Sequence, residues 1–248
     1  VLALDADMPA LLALFDMEGT ILPSNVVESY VWSRMADLPW DQWPDELASV
    51  FSRVPSYLMA DRRDRGEFLR TFFRRYEGAT VDGIERLVEE IVSEFMLQKV
   101  SAAAIRRIRE HRAAGHRTMM ITAAAEPFVQ PLAPLFDEVI AARLEVRDGL
   151  YTGYLAEPPL VGEARGAWVR RYAELEGADL KASYAYADSH SDLALLRAVG
   201  NPVAVSRDAA LVLDDQHLEG LDVAGLHPLD QWGISVRGNH AGHLRAHA

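Results

Sequence analysis

The 248-residue sequence contains no cysteine, which removes disulfides and thiolate metal sites from consideration. Lysine is almost as scarce: only Lys99 and Lys181 occur, so arginine carries nearly all the positive charge. Acids outnumber bases, and the formal net charge of −12 argues against nucleic acid or an anionic membrane as a main partner. No apolar run reaches the ~18 residues that a membrane span requires. The first residues lack the basic start of a secretory signal, and Asp5 and Asp7 interrupt their apolar character. Together these absences make a cytoplasmic protein the expectation. The chain starts at Val1 rather than Met, which points to an internal stretch of a longer polypeptide, fused to other domains. With 50% hydrophobic and 25% charged residues, an ordinary core is expected, in one large domain or a domain with an insert.

The stretch Leu11–Leu22, LLALFDMEGTIL, organises the rest. It reads as a buried strand ending on Asp16, followed by the polar turn Met17-Glu18-Gly19-Thr20. In an open α/β sheet the carboxyl ends of strands are where ligands bind. Gly19 lets the backbone turn tightly, and Thr20 offers a hydroxyl. An Asx-type turn after a strand explains this stretch equally well when it is taken alone.

Residues 23–97 carry helical spacing with no strand signal, and so read as a helical insert. Asn25 and Asp64 are cap candidates, Pro44 and Pro55 interrupt, and Phe68, Leu69, Phe72, Phe73 and Tyr76 form one apolar stripe. From Ser101 onward helix and strand alternate. Strands are expected at Arg117–Ile121, Asp137–Ile140, Tyr184–Ala187 and Pro202–Val205, with a β-hairpin around Asp148-Gly149. That alternation predicts an α/β protein with a parallel sheet covered on both faces. Beyond Pro228 no period is evident, and His240, His243 and His247 are spaced too loosely for a metal tract.

Three further sites fall at the ends of apolar runs. Met119-Met120-Ile121 ends in Thr122-Ala123-Ala124, a hydroxyl and small residues where a phosphate could sit on backbone N–H groups, or a simple helix cap. Gly162-Glu163-Ala164-Arg165 begins a helix and supplies one cation. Tyr184–Ala187 ends in Asp188-Ser189-His190-Ser191-Asp192, where capping accounts for one of the two aspartates and not readily for both. Carboxylates, a hydroxyl and a cation in this order form a kit for Mg²⁺-assisted phosphoryl transfer. Mg²⁺ wants hard oxygen ligands, and the phosphoryl group needs its charge neutralised.

These four motifs, DMEGT, ITAAAEPF, GEAR and ADSHSD, resemble those of the haloacid dehalogenase superfamily, in the branch containing phosphoserine phosphatase. The likeness covers nearly the whole chain. It implies a Rossmann-like, doubly wound parallel sheet formed by residues 1–22 and 98–248, with residues 23–97 as an inserted α-helical cap. By that resemblance Asp16 is the nucleophile that forms an aspartyl-phosphate, and Glu18 is the general acid/base. Thr122 and Ala123, with Gly19 and Arg165, would cradle the phosphate. Asp16, Glu18 (through its carbonyl), Asp188 and Asp192 would hold Mg²⁺. The implied reaction is hydrolysis of a small phosphorylated metabolite.

Two residues depart from the commoner pattern of that superfamily. Glu18 stands where aspartate is usual, which a carbonyl ligand tolerates and proton-transfer geometry feels. Arg165 stands where lysine is commoner; it keeps the charge on a larger fork. Two other readings share these residues: a phosphotransferase that passes the phosphoryl group to an alcohol, and a weakened or non-catalytic domain of a multidomain protein. For the substrate, the insert offers Asn25, Glu28 and a set of arginines, Arg62, Arg63, Arg65, Arg70, Arg74 and Arg75. Interleaved with Asp61, Asp64 and Glu67, that set reads as a solvated helix face.

Overall fold

The computed structural model describes residues 9–205 and 222–223, with the side chains of Met35, Ala36, Asp37, Leu58, Ala60, Asp61, Arg62, Asp222 and Val223 excepted. The three tail histidines, and Asp5 and Asp7 near the start, lie outside the described residues. Strand β1 spans Leu12–Phe15, and all four of its side chains are buried. It is followed by helices α1 (Val26–Asp37), α2 (Trp43–Phe51), α3 (Val54–Arg63), α4 (Arg65–Phe72), α5 (Val81–Leu87) and α6 (Ser93–Lys99). The caps expected from sequence form: Asn25 Oδ1 accepts from the N–H groups of Val27 and Glu28, and Asp64 Oδ1 from that of Glu67. Pro44 and Pro55 stand at the second positions of α2 and α3 and so begin helices, where a missing N–H costs nothing. The long last helix of this block is not regular. A π-turn over Val88–Val92 joins α5 to α6, and the Ser93 hydroxyl donates to the Val88 and Glu89 carbonyls that the wider turn exposes.

The chain then runs through α7 (Ala102–Ala113), β2 (Arg117–Ala125), α8 (Glu126–Val129), β3 (Glu138–Ala142), the hairpin strands β4 (Leu144–Arg147) and β5 (Leu150–Leu155), α9 (Gly162–Glu176), β6 (Tyr184–Ala187), α10 (Leu193–Leu196) and β7 (Asn201–Ala204). A two-residue strand β8 (Asp222–Val223) closes the described elements, and no sequence signal marked it. Six strands pair in the order β3-β2-β1-β6-β7-β8, every pairing parallel. This is the expected doubly wound sheet. The chain steps from β1 outward to β2 and β3, then returns to the other side of β1, so the crevice between β1 and β6 is the topological switch point.

Period-two alternation divides the core. Leu12 and Leu14 join Met119, Ile121, Ala185, Val169 and Leu195 on one face, whereas Ala13 and Phe15 join Met120, Tyr186 and the aromatic stripe of the helical block on the other. The hairpin β4–β5 pairs with the helical block instead of the sheet: Gly78 N–H donates to the Tyr151 carbonyl, and Tyr151 N–H to that of Ala79.

Beneath β6, His111 is buried with Nε2 bonded to the Tyr186 hydroxyl and Nδ1 to His116 Nδ1, both at 2.8 Å. Burial, then the neighbouring His116, lowers its pKa from 6.5 to about 4. Between those values the unfolded chain binds the proton that the native state refuses, so stability rises with pH. The stability advantage of wild type over His111→Gln is therefore expected to shrink by about 2 kcal/mol from pH 7 to pH 4.5. Urea unfolding across that range measures it, and a constant difference would contradict it.

Candidate active site

Asp16 extends β1 by one residue, with its N–H donating to the Tyr186 carbonyl of β6 at 2.9 Å. The chain then folds into a tight loop: the N–H groups of Ile21 and Leu22 both donate to the Met17 carbonyl, and that of Gly19 to Leu22. Gly19 has φ +80°, and a Cβ there would lie 1.9 Å from Asp188 Oδ2. Only glycine fits, because the loop passes directly over the carboxylate that follows β6.

Asp16, Asp188 and Asp192 each place a carboxylate oxygen within 4.8 Å of the others. Arg165, itself 2% exposed, reaches in from the first turn of α9. One terminal nitrogen donates to Asp16 Oδ1 at 2.9 Å and to Asp192 Oδ1, and Nε donates to the Leu160 carbonyl at 3.0 Å. The Ser189 hydroxyl donates to Asp192 Oδ2 at 2.5 Å, and Thr20 Oγ1 lies 3.5 Å from Asp188 Oδ1. Glu18 is buried, with Oε2 3.8 Å from Arg65 at the start of α4 and Oε1 without a hydrogen-bond partner. The Thr122 hydroxyl accepts from the Ala124 N–H at 3.0 Å, and both Thr122 and Ala123 are buried. Since Phe15 pairs with Met120, Thr122 stands at the same sheet end as Asp16, inside an extended β2 rather than at a helix cap.

One buried cation among four carboxylates leaves the site under electrostatic stress. Burial, then the charge of Asp192, raises the Asp16 pKa well above the usual carboxylate range, with Arg165 opposing. Burial raises Glu18 to about 7 against the pull of Arg65, and burial with Asp192 raises Asp188 to about 6. Hard oxygen donors converging while short of positive charge are what a small divalent cation such as Mg²⁺ requires. The Glu18 side chain is not part of this convergent triad.

In chelator, Asp188→Asn is expected to be more stable than wild type by about 2 kcal/mol at pH 8, measured by urea unfolding. The raised Asp188 pKa means that this group's contribution to native stability is fully present below 3.8 and is lost as pH rises through 6. The gain should therefore fade on acidification through that window, and a destabilised variant at pH 8 would contradict it.

Two participants escaped the sequence reading. Ser189 sits inside a motif that was recognised, yet nothing marked it as the group orienting Asp192. Arg65 was counted with a solvated face; in the folded chain it points at Glu18, and Arg75 likewise turns inward. Their direction is set by how α4 and the turn after it dock, which no local pattern reports.

The chain is 33% identical over 155 residues to the inhibition of morphological differentiation protein of Streptomyces azureus, covering 60% of this chain and 54% of that protein. It therefore spans about half the length of that relative. It is 30% identical over 202 residues to a probable phosphatase of Mycobacterium tuberculosis, covering 80% and 70% of the two chains. Among solved structures, a substrate-bound phosphoserine phosphatase superposes with a TM-score of 0.63 at 17% identity, over 87% of this chain and 93% of that one. The profile of the haloacid dehalogenase-like hydrolases matches residues 13–197, from within β1 to just past α10. A switch-point aspartate at the end of β1, facing a second acidic pair after β6, thus lies within the matched span, and this chain belongs to the haloacid dehalogenase-like hydrolase family.

Proposed function

We propose that the protein is a Mg²⁺-dependent phosphatase that hydrolyses a small organic phosphomonoester through an aspartyl-phosphate on Asp16. The observation that carries this reading is the Asp16 carboxylate at the switch point, within 4.8 Å of Asp188 and Asp192 and bonded by Arg165. Asp16, Asp188, Asp192 and the Glu18 carbonyl would hold the Mg²⁺, which when bound offsets carboxylate charge and draws electron density from the phosphoryl oxygens. A carboxylate oxygen of Asp16 attacks phosphorus as the bond to the leaving oxygen breaks, and Glu18 gives that oxygen its proton. Water then attacks phosphorus, the bond to Asp16 breaks, and the Glu18 carboxylate takes the water's proton. A Glu18 pKa of about 7 suits both halves of this cycle. Arg165, Thr122 and the amides near Gly19 and Ala123 would hold the phosphoryl oxygens.

In this reading residues 1–22 and 98–248 form the catalytic core and 23–97 the cap, with Arg65 as a contact of the cap to the catalytic Glu18. The cap excludes bulk water while the acyl phosphate exists. The test is phosphate release from an aryl phosphate and from a panel of natural phosphomonoesters including phosphoserine, with Mg²⁺ and with chelator. Metal-dependent release is expected. Alcohol phosphate appearing in place of free phosphate would favour the phosphotransferase instead, and no turnover across the panel would favour a non-catalytic domain.

A further inference from the structure

A cavity of about 580 Å³ opens where the helical block, the start of α8 and the β4–β5 hairpin meet. None of the residues placed in the catalytic site lines it. The π-turn over Val88–Val92 contributes to one wall, and such turns occur frequently at functional sites. Val88, Leu144 and Val146 make much of the lining apolar, and Val146 is left 49% exposed. Three glutamates, Glu85, Glu89 and Glu126, stand around the cavity, and no lysine or arginine does. Their side chains make no ion pair or hydrogen bond among the described residues.

Tyr151 points to a ligand independently of those acids. It is 5% exposed and lines the cavity, yet its hydroxyl has no hydrogen-bond partner among the described residues. A buried polar group is costly to leave unpaired and is normally satisfied. Burial, then the charges of Glu85 and Glu126, pushes the Tyr151 pKa up to about 12, so the hydroxyl faces the space those carboxylates surround. Carboxylates and a phenol around an apolar volume suit a cation that is itself largely apolar. A metal ion suits it less well. Among the described residues only Asp16, Asp188 and Asp192 bring three carboxylate oxygens within 4.8 Å of one another, so the glutamates ring the cavity too widely to coordinate one ion. The volume falls within the ~300–1,000 Å³ found for small-molecule sites.

We propose that this cavity binds a small organic ammonium, a protonated amine on a compact apolar body, through Glu85, Glu89, Glu126 and the Tyr151 hydroxyl. The ammonium donates to those oxygens while its body packs on Val88, Leu144 and Val146. The reading is independent of the phosphatase assignment. Full-length protein is titrated with benzylamine and, at the same ionic strength, with benzyl alcohol, its neutral counterpart. Methyl resonances are followed by ¹H–¹³C NMR, those of Val146 being assigned by their loss in Val146→Ile. A saturable shift of the Val146 methyls is expected with the amine, at least about tenfold tighter than with the alcohol. The double variant Glu85→Gln/Glu126→Gln, which alters only exposed side chains, is expected to weaken amine binding about tenfold. Tyr151→Phe, which removes only the hydroxyl, should weaken it about threefold. Val146 methyls indifferent to benzylamine, equal affinity for amine and alcohol, or affinity unchanged in either variant would overturn the proposal. A response to an oligolysine peptide but not to benzylamine would also overturn it, assigning the acids to a protein partner.

Discussion

Asp16→Asn is expected to lower metal-dependent phosphate release by at least about 10³-fold, or about 4 kcal/mol of transition-state stabilisation, while the protein remains folded. The side chain keeps its shape, so Arg165 retains an acceptor and β1 keeps its ladder to β6. What disappears is the nucleophilic oxygen pair, and no neighbouring carboxylate can replace it. Asp188 and Asp192 follow β6 and are committed to Thr20, Ser189 and Arg165. The loss should appear in kcat, because the ground-state contacts to a phosphate are preserved. In chelator the variant should unfold at a higher urea concentration than wild type, since one repelled buried charge has gone. A folded Asp16→Asn protein with near-wild-type turnover would end the aspartyl-phosphate reading.

The second large effect belongs to a residue with no side chain. Gly19→Ala should cut phosphate release by about 10² or more, because a methyl at 1.9 Å from Asp188 Oδ2 must displace either that carboxylate or the loop carrying Glu18. Gly78 provides the control. It has a similar φ of +82°, yet no atom lies within 4 Å of where its Cβ would stand. Gly78→Ala should therefore cost about 1 kcal/mol of stability from backbone strain and leave turnover unchanged. Comparing kcat/KM and unfolding midpoints of the two variants separates strain from clash. Equal turnover in both would mean that the loop over Asp188 is not needed in its observed position.

Much of this architecture was legible because its signals are local. Asn25 and Asp64 cap helices within three residues of themselves, and the Asp148-Gly149 turn has the positive φ angles that the dipeptide suggests. The buried strands show as apolar runs that stop at a polar residue, which is why Asp16 and Asp188 stood out. The π-turn at Val88–Val92 left no trace, since its side chains keep nearly helical spacing. The hairpin was visible, whereas its attachment to the helical block through Gly78 and Ala79 was not, because backbone hydrogen bonds between distant segments carry no residue code.

The arginines of the insert make the same point through charge. In one dimension Arg65, Arg74 and Arg75 look alike. In the fold Arg65 lies 3.8 Å from Glu18, Arg74 covers the Tyr154 ring at 3.6 Å, and Arg75 is wedged between Glu46 and Tyr30. Helix docking, not spacing, assigned those three environments.

By itself, the sequence determined most of the strands and helices, and that its acids, hydroxyl and cation stand at the ends of apolar runs. Those properties follow from side-chain periodicity and capping, which act over a few residues. Only the tertiary structure decided that Asp16, Asp188, Asp192 and Arg165 converge, that Gly19 must lack a Cβ, and that burial pushes the Glu18 pKa up to about 7. The parallel pairing of β1 with β6 sets those distances across long crossovers, and desolvation and charge repulsion arise only once the groups share one buried volume.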